Sequence, residues 1–436
     1  MIIVPSNENV TEETMAYEER MTIDERRKYL HRMRFRYWQN KSRKERGELL
    51  DEMEAVTELH RKTLIRLING ELARKPRRKQ RGKTYGPEVR SAVEVIAKSL
   101  DYPCAERLQP NLVGMATCLI QHGELHTTPE VLHKLERLSV STLWRLLPRA
   151  GPERPRLAQR KERPGASNQL LVAVPVRRIR WDEPEPGHFE ADLVHHCGPS
   201  PDGQYVCSLQ LVDVTTGWSE CAAILGRSFL VMEDGFQRIF KRLPFPLREL
   251  HPDNGSEFFN NFLLKSLKEK VSGLKLSRSR PFQKNDNRFV EENNYSLVRA
   301  YVGYQRLDTV EQTKRLNQLY DLLWVYHNFF QPVMRLKEKI PTSNPLYSKR
   351  KYDPAQPPFD RLCERGVLDD ERHAQLQALR DATNPLQLRR SIEQLIGQLF
   401  NLPGAKNGFT EDVRETLGLW QAEYLPKVMQ LASREG

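Results

Sequence analysis

Three acidic residues that lie far apart in the chain are the first candidates for chemistry. Asp192 lies in the run HFEADLVHH, Asp253 in HPDNGSEF and Glu291 in NRFVEENNYSLVRAYVGY. Sixty residues separate Asp192 from Asp253, and 37 separate Asp253 from Glu291. Carboxylates supply the oxygen ligands that Mg²⁺ takes, and two such ions about 3.5–4 Å apart support phosphodiester cleavage and strand transfer. The three acids are therefore a candidate two-metal site.

The elements predicted around these acids place them where a shared site could form. In HFEADLVHH, strand alternation puts Glu190 and Asp192 on the same face. Asp253 ends a later strand, where the Asn254-Gly255 pair predicts a turn, and Glu291 lies in the first turns of a long helix. Each acid taken singly has a simpler explanation, because Asp is a common turn former and Glu is favoured near helix N-termini.

The order of elements in this region predicts a ribonuclease H-like α/β core. Three strand-like runs, HFEADLVHH, QYVCSLQLVDV and WSECAAIL, come first. A helix over 228–243, a strand LRELH, a helix over 258–271 and a strand LKLSRS follow. A long helical region then begins near Asn285 and continues, with one break, past Phe330.

Other polar residues near the acids have secondary interpretations. Glu190 is a candidate for orienting a water molecule, Asp213 for shaping a hairpin turn, and Glu257 for capping a helix that begins near Phe258. The run His195–Cys197 could be interpreted as part of a zinc site, but no partner His or Cys pair is nearby in the sequence.

Basic charge is concentrated in the first part of the chain. The 436 residues carry a formal net charge of +12 at pH 7. Residues 1–186 hold 36 Lys and Arg against 26 Asp and Glu, whereas the remainder holds 33 against 31. This distribution predicts a polyanionic partner, most commonly nucleic acid, that binds the N-terminal part.

Residues 22–73, after a flexible arm at 1–21, are predicted to form a helix-turn-helix DNA-binding domain. KERGELLDEMEAV is the first helix and TELHRKTLIRLINGE the second. The predicted apolar faces consist of Leu49, Leu50, Met53 and Val56 in the first helix, and Leu59, Leu64, Ile65 and Leu67 in the second. The candidate DNA contacts are His60, Arg61, Lys62 and Arg66. A surface helical hairpin is the alternative interpretation.

A basic linker at 74–87 follows, and its run RKPRRKQRGK has seven basic residues in ten. Pro76 and Gly82 prevent a continuous helix, so an extended arm suited to phosphates or a minor groove is predicted, with a solvated linker as the alternative. The candidate contacts in this arm are Arg74, Arg77, Arg78, Lys79 and Arg81.

The rest of the chain divides into four further predicted regions. Residues 88–150 form a second helical DNA-binding domain, whose last helix, 141–147, carries Trp144 and Arg145. A Pro- and Arg-rich linker covers 151–186, and the catalytic core covers 187–335. The mainly helical region 336–436 is an accessory DNA-binding or oligomerisation domain.

Cysteine usage and hydropathy predict a soluble, intracellular protein. The six cysteines form no C-x-x-C pair and no compact framework, which argues against a zinc ribbon and a disulfide scaffold. The N-terminus lacks the pattern of a signal peptide, and no apolar run approaches the roughly 20 residues that span a bilayer.

The chain resembles the integrase-type DDE transposases of bacterial insertion sequences, which belong to the retroviral-integrase superfamily. The resemblance is carried by GHFEADLVHHCG, LVDVTTGWSE, HPDNGSEFFNNF, RSRPFQKNDNRFVEENNYSLVRAYVGYQRLDT and YHNFFQPVM. It extends to the helical region at 44–71, to LSVSTLWRLL and to WDEPEPG. The resemblance implies that Asp192, Asp253 and Glu291 are the catalytic, metal-binding carboxylates. Two departures are Glu292, where relatives commonly have Gln, and His251-Pro252 before Asp253. The first leaves Glu292 as an alternative third carboxylate.

The resemblance further implies binding of terminal inverted repeats, cleavage of the DNA ends and joining of the 3′-OH to target DNA. Two Mg²⁺ ions, replaceable by Mn²⁺, would be the cofactors, and double-stranded DNA the partner. Two element ends imply at least a homodimer. A bacterial cytoplasmic location, associated with the nucleoid when DNA is bound, is expected. Residues near the core that would track the DNA backbone are Arg278, Arg280, Lys284, Arg288 and Arg299.

Two other functions are compatible with the same core. One is a domesticated DNA-binding regulator that has lost catalysis, against which the three intact acids count. The other is a structure-selective nuclease that cleaves without joining, which the paired N-terminal DNA-binding units disfavour.

Overall fold

The computed structural model describes residues 21–72, 84–147, 174–255, 257–280, 286–341, 348–406 and 410–419. These residues belong to two compact units, one within Met1–Lys83 and the other within Thr84–Gly436. Within these ranges, no helix has the length and apolar character needed to cross a membrane. The arm candidates Arg74, Arg77, Arg78, Lys79 and Arg81, together with Lys284, lie outside the described residues.

The first unit is built from three helices: α1 (Ile23–Gln39), α2 (Arg43–Thr57) and α3 (Arg61–Asn69). Thr22 and Glu25 cap α1 reciprocally. Glu58, in the left-handed conformation with φ of 53°, ends α2 and begins the turn to α3. The unit therefore contains the two adjacent helices predicted from the sequence, preceded by a third.

The buried face of these helices differs in two places from the predicted one. Leu49, Leu50, Met53 and Leu64 are buried as expected, but Val56 is 42% exposed and Ile65 is 38% exposed. Thr57 and Ile68 are buried instead. Since α3 begins only at Arg61, Leu64 and Ile68 lie one turn apart on one face, and Ile65 is rotated towards solvent.

The second unit begins with five short helices. They are α4 (Pro87–Ser99), α5 (Ala105–Leu108), α6 (Leu112–Gln121), α7 (Pro129–Glu136) and α8 (Val140–Leu146). Their buried side chains belong to the same hydrophobic cluster as those of the sheet described next. The region predicted as a second helical DNA-binding domain therefore packs against the sheet domain.

A mixed five-stranded sheet is the centre of the second unit. Its strands are β1 (His188–His195), β2 (Val206–Asp213), β3 (Ser219–Leu225), β4 (Glu249–Pro252) and β5 (Lys275–Leu276). Their order is β3-β2-β1-β4-β5. β1, β2 and β3 are antiparallel, whereas β4 pairs with β1, and β5 with β4, in parallel. This is an α/β architecture.

Helices alternate with the later strands and cover the sheet. They are α9 (Phe229–Arg242), α10 (Asn261–Lys270), α11 (Arg288–Asn293), a π-helical segment (Asn294–Arg299), α12 (Ala300–Val302) and α13 (Val310–Phe330). The predicted order of three strands, helix, strand, helix, strand and helical region is confirmed. A Cβ on Gly235 of α9 would lie 2.9 Å from Ile224 Cγ2, which shows how closely α9 approaches the sheet.

A buried ionic network joins three of these elements. Arg242 of α9 pairs with Glu220 of β3 and with Asp321 of α13, and Arg238 also binds Asp321. Trp218 and Trp324 each donate their indole N–H to Glu220 Oε1, at 2.9 and 2.8 Å. Because the charges are paired and hydrogen-bonded, the network fixes β3, α9 and α13 relative to one another.

The C-terminal region is mainly helical, as predicted. It contains a two-stranded ribbon, β6 (Leu336–Pro341) and β7 (Ser348–Tyr352), and then α14 (Pro358–Glu364), α15 (Asp370–Ala382), α16 (Pro385–Phe400) and a 3₁₀ turn (Val413–Thr416). Buried side chains of α14, α15 and α16 join the cores around the sheet.

The Pro- and Arg-rich stretch expected to be a linker is described from residue 174 onwards. Its first residues lie along the sheet, where the Arg177 N–H donates to Arg278 O and the Arg278 N–H donates to Pro175 O. Ile179 is fully buried. This end of the stretch is therefore part of the folded unit.

Candidate active site

Asp192 lies in β1 next to Asp253, the residue that directly follows the parallel strand β4. The ladder between β1 and β4 pairs Ala191 with Pro252, and the next residue on each chain is one of the two acids. Neighbouring strands lie about 4.8 Å apart, and residues at matching positions point to the same face. The fold thus brings together two carboxylates that are 60 residues apart in the sequence.

The turn that carries Asp253 is held by hydrogen bonds. The Gly255 N–H donates to Asp253 Oδ1 at 2.9 Å. The Asn254 side chain donates to Ser279 O and accepts from Arg278, at 3.1 and 3.0 Å. A Cβ on residue 255 would lie 2.9 Å from both Asp253 Oδ1 and Glu257 Oε1, so a residue larger than glycine would displace both carboxylates.

Glu190 anchors the start of α11 to β1. Its Oε2 accepts from the backbone N–H groups of Phe289 and Val290, at 2.7 and 3.0 Å. Burial raises the pKa of Glu190 to about 7, against the lowering effect of these hydrogen bonds and of Arg288 and Arg335. Glu190 thus holds the helix that carries Glu291, whereas the sequence suggested that it orients water.

Asn294 links the same helical region directly to Asp192. Its side-chain N–H donates to Asp192 Oδ2, while the Leu193 N–H donates to Oδ1 at 2.8 Å. Asn294 begins the π-helical segment, immediately after α11. Glu291 precedes Asn294 by three residues, a spacing that places two helical residues on adjoining surface.

Glu292 lies towards a different part of the molecule. Its carboxylate is 3.5 Å from Arg107, and it lines a pocket together with His327 and Arg335. Both Glu291 and Glu292 are exposed. Of the two alternatives for the third carboxylate, Glu291 is therefore the one that lies one helical turn from Asn294, the residue that contacts Asp192.

Several buried polar atoms around Asp192 have no hydrogen-bond partner within the described part of the chain. Gln210 lies directly opposite Asp192 on β2, is fully buried, and lacks a partner for both atoms of its amide. Asn294 Oδ1 and Glu190 Oε1 are likewise buried without a hydrogen-bond partner among the described residues. Buried polar atoms are normally satisfied, so this cluster is a departure from ordinary packing close to Asp192.

The carboxylate and amide oxygens near Asp192 are of the type that binds a hard divalent cation, although they do not form a complete three-ligand site. Across the described ranges, no group of three His, Cys, Asp or Glu side chains is arranged to hold one metal ion. Asp192 and Asp253 provide adjacent carboxylates, and the unpartnered amide oxygens of Asn294 and Gln210 lie beside Asp192. Carboxylate and amide oxygens are ligands for Mg²⁺ and for its bound waters.

The two histidine side chains of the His195–Cys197 run point in different directions. His196 is fully buried and hydrogen-bonds Ser208 Oγ through Nε2 at 2.7 Å, and burial lowers its pKa to about 3. His195 instead contacts the Tyr205 hydroxyl at 3.1 Å through Nδ1. Adjacent residues of a strand face opposite sides, so the histidines do not converge.

The two other acidic candidates have clear structural positions. Asp213 accepts from the Gly187 N–H and from the N–H and hydroxyl of Thr216, which confirms its predicted role in shaping the turn. The expected helix cap at Glu257 is wrong. α10 begins at Asn261, and the side chain of Asn260 caps it by accepting from the Phe262 N–H. An Asx side chain is the stronger cap.

Three predicted DNA-binding arginines near the site contact protein groups. Arg280 forms a bidentate pair with Asp286, and Arg278 donates to Val174 O and to Asn254. Arg299 donates to His195 O and Gly303 O. Arg288 differs, because its two terminal nitrogens are buried without a partner among the described residues, and its guanidinium lies 4.4 Å from the Phe289 ring centre.

Of the predicted DNA-binding residues in the N-terminal unit and in α8, some contact protein groups and others are exposed. Arg61 pairs with Asp51 and donates to Gly47 O, so it joins α3 to α2, and His60 caps α3 by accepting from the Lys62 N–H. Lys62 and Arg66 are exposed on α3. Arg145 is also exposed, and its Nε donates to Ser141 O of the same helix.

Two residues of the site did not emerge from the sequence. Asn294 could have been found from its spacing of three residues after Glu291 on a predicted helix. Gln210 carries no such signal, because its position opposite Asp192 depends on the register of β1 and β2.

One comparison with known proteins identifies a relative. The chain is 34% identical over 338 residues to the uncharacterized protein y4rM of Sinorhizobium fredii, an alignment that covers 76% of this chain and 94% of that protein. No protein-family model matches the chain.

Proposed function

The chain belongs to the same family as y4rM of Sinorhizobium fredii, and we propose that it is a DDE-type DNA transposase. In this proposal the sheet domain is a ribonuclease H-like catalytic core. It cleaves the DNA at the ends of a mobile element and joins the 3′-OH to target DNA. The N-terminal three-helix unit is a helix-turn-helix reader of the terminal inverted repeats.

The observation that carries the proposal is the position of Asp192 within β1 next to Asp253, the residue that follows β4, beside the helix that bears Glu291. Side-by-side carboxylates on parallel strands are costly unless cations offset their repulsion. The unpartnered polar atoms of Gln210 and Asn294 beside Asp192 support the same conclusion. A solvated turn would require neither feature.

In the proposed mechanism, Asp192, Asp253 and Glu291 would hold the cofactor. Two Mg²⁺ ions, or Mn²⁺ in their place, would supply charge neutralisation at the scissile phosphate. Asn294 fixes the Asp192 carboxylate by donating to Oδ2, and Glu190 fixes the first turn of α11 through two backbone N–H groups. These contacts orient the acids before the DNA arrives.

The proposed reaction has two phosphoryl-transfer steps. Water attacks the scissile phosphorus, the bond to the 3′ oxygen breaks, and that oxygen leaves as a 3′-OH. The 3′-OH then attacks a phosphorus of the target strand in line, loses its proton, and displaces the target's 3′ oxygen. The chain forms no covalent bond to DNA, so Asp192, Asp253 and Glu291 act only as ligands.

The partners and location in this proposal follow from the substrate. Two element ends must be handled together, so the active form is at least a homodimer. The expected location is the bacterial cytoplasm, with association to the nucleoid when DNA is bound.

The triad is tested with Asp192→Asn, Asp253→Asn and Glu291→Gln, and with Glu292→Gln as a matched control. We expect the first three to abolish Mg²⁺-dependent cleavage and strand transfer on duplexes taken from the DNA flanking the gene. Binding to these duplexes should persist, since the exposed Lys62 and Arg66 are unchanged. Glu292→Gln should keep most activity, because Glu292 faces Arg107.

The outcomes distinguish the proposal from its rivals. Wild-type rates in the three triad variants would end the triad assignment, and loss in Glu292→Gln alone would move the third carboxylate by one residue. Cleavage without joining would indicate a nuclease. End binding by wild-type protein without any metal-dependent nicking would indicate a catalytically silent regulator.

A further inference from the structure

The β6–β7 ribbon concentrates basic residues with little compensating acid. Five exposed basic residues lie on it, whereas Glu338 is the single acid among its described positions and is 3.8 Å from Lys351. The five are Lys337, Lys339, Lys349, Arg350 and Lys351. The ribbon thus carries an excess of positive charge that the rest of the second unit, balanced in sequence, does not share.

The pairing of the ribbon sets two of these cations directly against each other. Lys339 lies opposite Arg350 in the antiparallel register, so both side chains project from the same face. Like charges at directly opposite positions destabilise a strand pair. The Lys339 ammonium also lies 5.3 Å from the ring centre of Trp181, which places this face against the segment before β1.

Two further arginines extend the same cluster. Partial burial, together with the charges of Arg178, Arg288 and Arg350, lowers the pKa of Lys339. Arg178 comes within 3.8 Å of Asp286, but that carboxylate already forms the shorter bidentate pair with Arg280. Arg288 has no hydrogen-bond partner for its terminal nitrogens in the described residues. Asp182 is the acid that acts on Lys339, but it already forms a bidentate pair with Arg180, and Glu190 acts on Arg288. Four cations therefore gather here, and the acids near Lys339 and Arg178 are already paired with other arginines.

We propose that the exposed Lys339, Arg350 and Arg178 form a binding face for the backbone phosphates of duplex DNA. This inference rests on the proposed function and names the surface that holds the DNA. Phosphates would reduce the repulsion that the neighbouring acids compensate only in part, and a two-stranded ribbon is a shape that duplex DNA accepts in its major groove. Arg288 begins α11, three residues before Glu291, so DNA bound to this face leads towards the acids.

The face is tested in the full chain with the double variant Lys339→Gln, Arg350→Gln. The matched control is Lys265→Gln, Lys268→Gln, which removes the same charge from the exposed side of α10. The probe is a fluorescein-labelled duplex of random sequence, titrated across a series of salt concentrations without divalent metal. Each phosphate contact contributes about 0.9 to the slope of log affinity against log salt.

We expect the ribbon variant to lower the salt slope by about two and to weaken binding on the order of tenfold near physiological salt. The control should change neither. The melting temperature of the ribbon variant should stay the same or rise, since the repulsion between residues 339 and 350 is relieved. A structural role alone would instead lower the melting temperature and leave the salt slope unchanged.

Two results separate failure of this inference from failure of the proposed function. Equal slopes and affinities in the ribbon variant, the control and the wild type would overturn the phosphate-binding face alone. Absence of duplex binding by the wild type and by Asp192→Asn would overturn the inference together with the proposed transposase function. Loss of slope in both double variants equally would show a general charge effect and reject a specific face.

Discussion

Asn294 joins the helical region that carries Glu291 to the first acid of the sheet. It donates to Asp192 Oδ2, and its own Oδ1 is buried without a partner in the described part of the protein. A ligand carboxylate held in this way keeps its orientation when the substrate binds. Asn294 is therefore a positioning residue in the proposed site.

Replacing Asn294 with alanine should slow the proposed strand transfer by about 10- to 100-fold, the usual effect of removing a residue that supports a metal ligand. The Mg²⁺ concentration that gives half-maximal rate should rise, because Asp192 loses its orientation. Rates measured across a Mg²⁺ series provide the test, with thermal melting to confirm folding.

Asn293→Ala is the matched control, because its side chain contacts Ser219 rather than Asp192. Equal Mg²⁺ dependence in the two alanine variants would contradict the role assigned to Asn294. A further variant, Asn294→Asp, places a carboxylate against Asp192 and should be more impaired than alanine.

Single-residue roles were predictable where they depend on local geometry. Asp213 is followed by Thr-Thr-Gly and shapes its turn as expected. Arg61 pairs with Asp51 because α2 and α3 cross closely enough for the two side chains to meet, a contact that was not predicted, and its DNA contact stays a prediction. Glu257 failed as a cap because Asn260 lies nearer the start of α10. The last two depend on element boundaries and packing, which the sequence does not specify.

At the scale of elements, Glu190 couples β1 to α11 through a buried carboxylate. Burial raises its pKa from 4.5 to about 7. Between these values the folded protein binds more protons than the unfolded chain, so the free energy of unfolding falls as pH rises through that window. Above this pH window, the buried ionised carboxylate lowers the free energy of unfolding by up to about 3 kcal/mol relative to an exposed one.

Glu190→Gln should therefore raise the melting temperature most above about pH 7, where the wild type carries the buried charge. The gain should shrink as pH falls towards about 5, because the wild-type carboxyl is then protonated. The amide oxygen still accepts from Phe289 and Val290, so the helix anchor is retained. Thermal melting across a pH series measures the difference.

Glu185→Gln serves as a control, because the Glu185 carboxylate is 60% exposed and pairs with Arg248 at the surface. Its difference from the wild type should stay small across the pH series. A Glu190→Gln gain that is constant with pH would show that the carboxyl does not titrate in this window.

Most elements of the sheet domain were predictable because their patterns are strong. β1 alternates, β2 and β3 are mainly apolar runs separated by turn residues, and their order was predicted from the sequence. The π-helical segment was not predictable, since no residue type marks the extra residue in the turn that sets Asn294 beside Asp192. The proximity of Asp192 to Asp253 was inferred only through the expected fold.

At the scale of the whole molecule, the N-terminal unit has its own hydrophobic core. Leu30, Met53, Leu64 and Ile68 are fully buried within it, and the sheet domain has separate clusters. A unit with its own core is expected to fold without the rest of the chain. Its exposed Lys62 and Arg66 make α3 the proposed recognition helix.

A chain that begins at Thr84 should therefore keep the thermal transition of the sheet domain but lose sequence preference. The wild type should prefer the element ends over a random duplex by on the order of a thousandfold, a common ratio for specific DNA binding. In the shortened chain that ratio should fall close to one, while the salt-dependent binding assigned to the ribbon face remains. Competition binding with both duplexes measures the ratio.

Lys62→Ala with Arg66→Ala in the full chain should reproduce most of the loss, since these side chains are exposed on α3. Preference retained by the shortened chain would place end recognition in the second unit, with the exposed Trp144 and Arg145 of α8 as the next candidates.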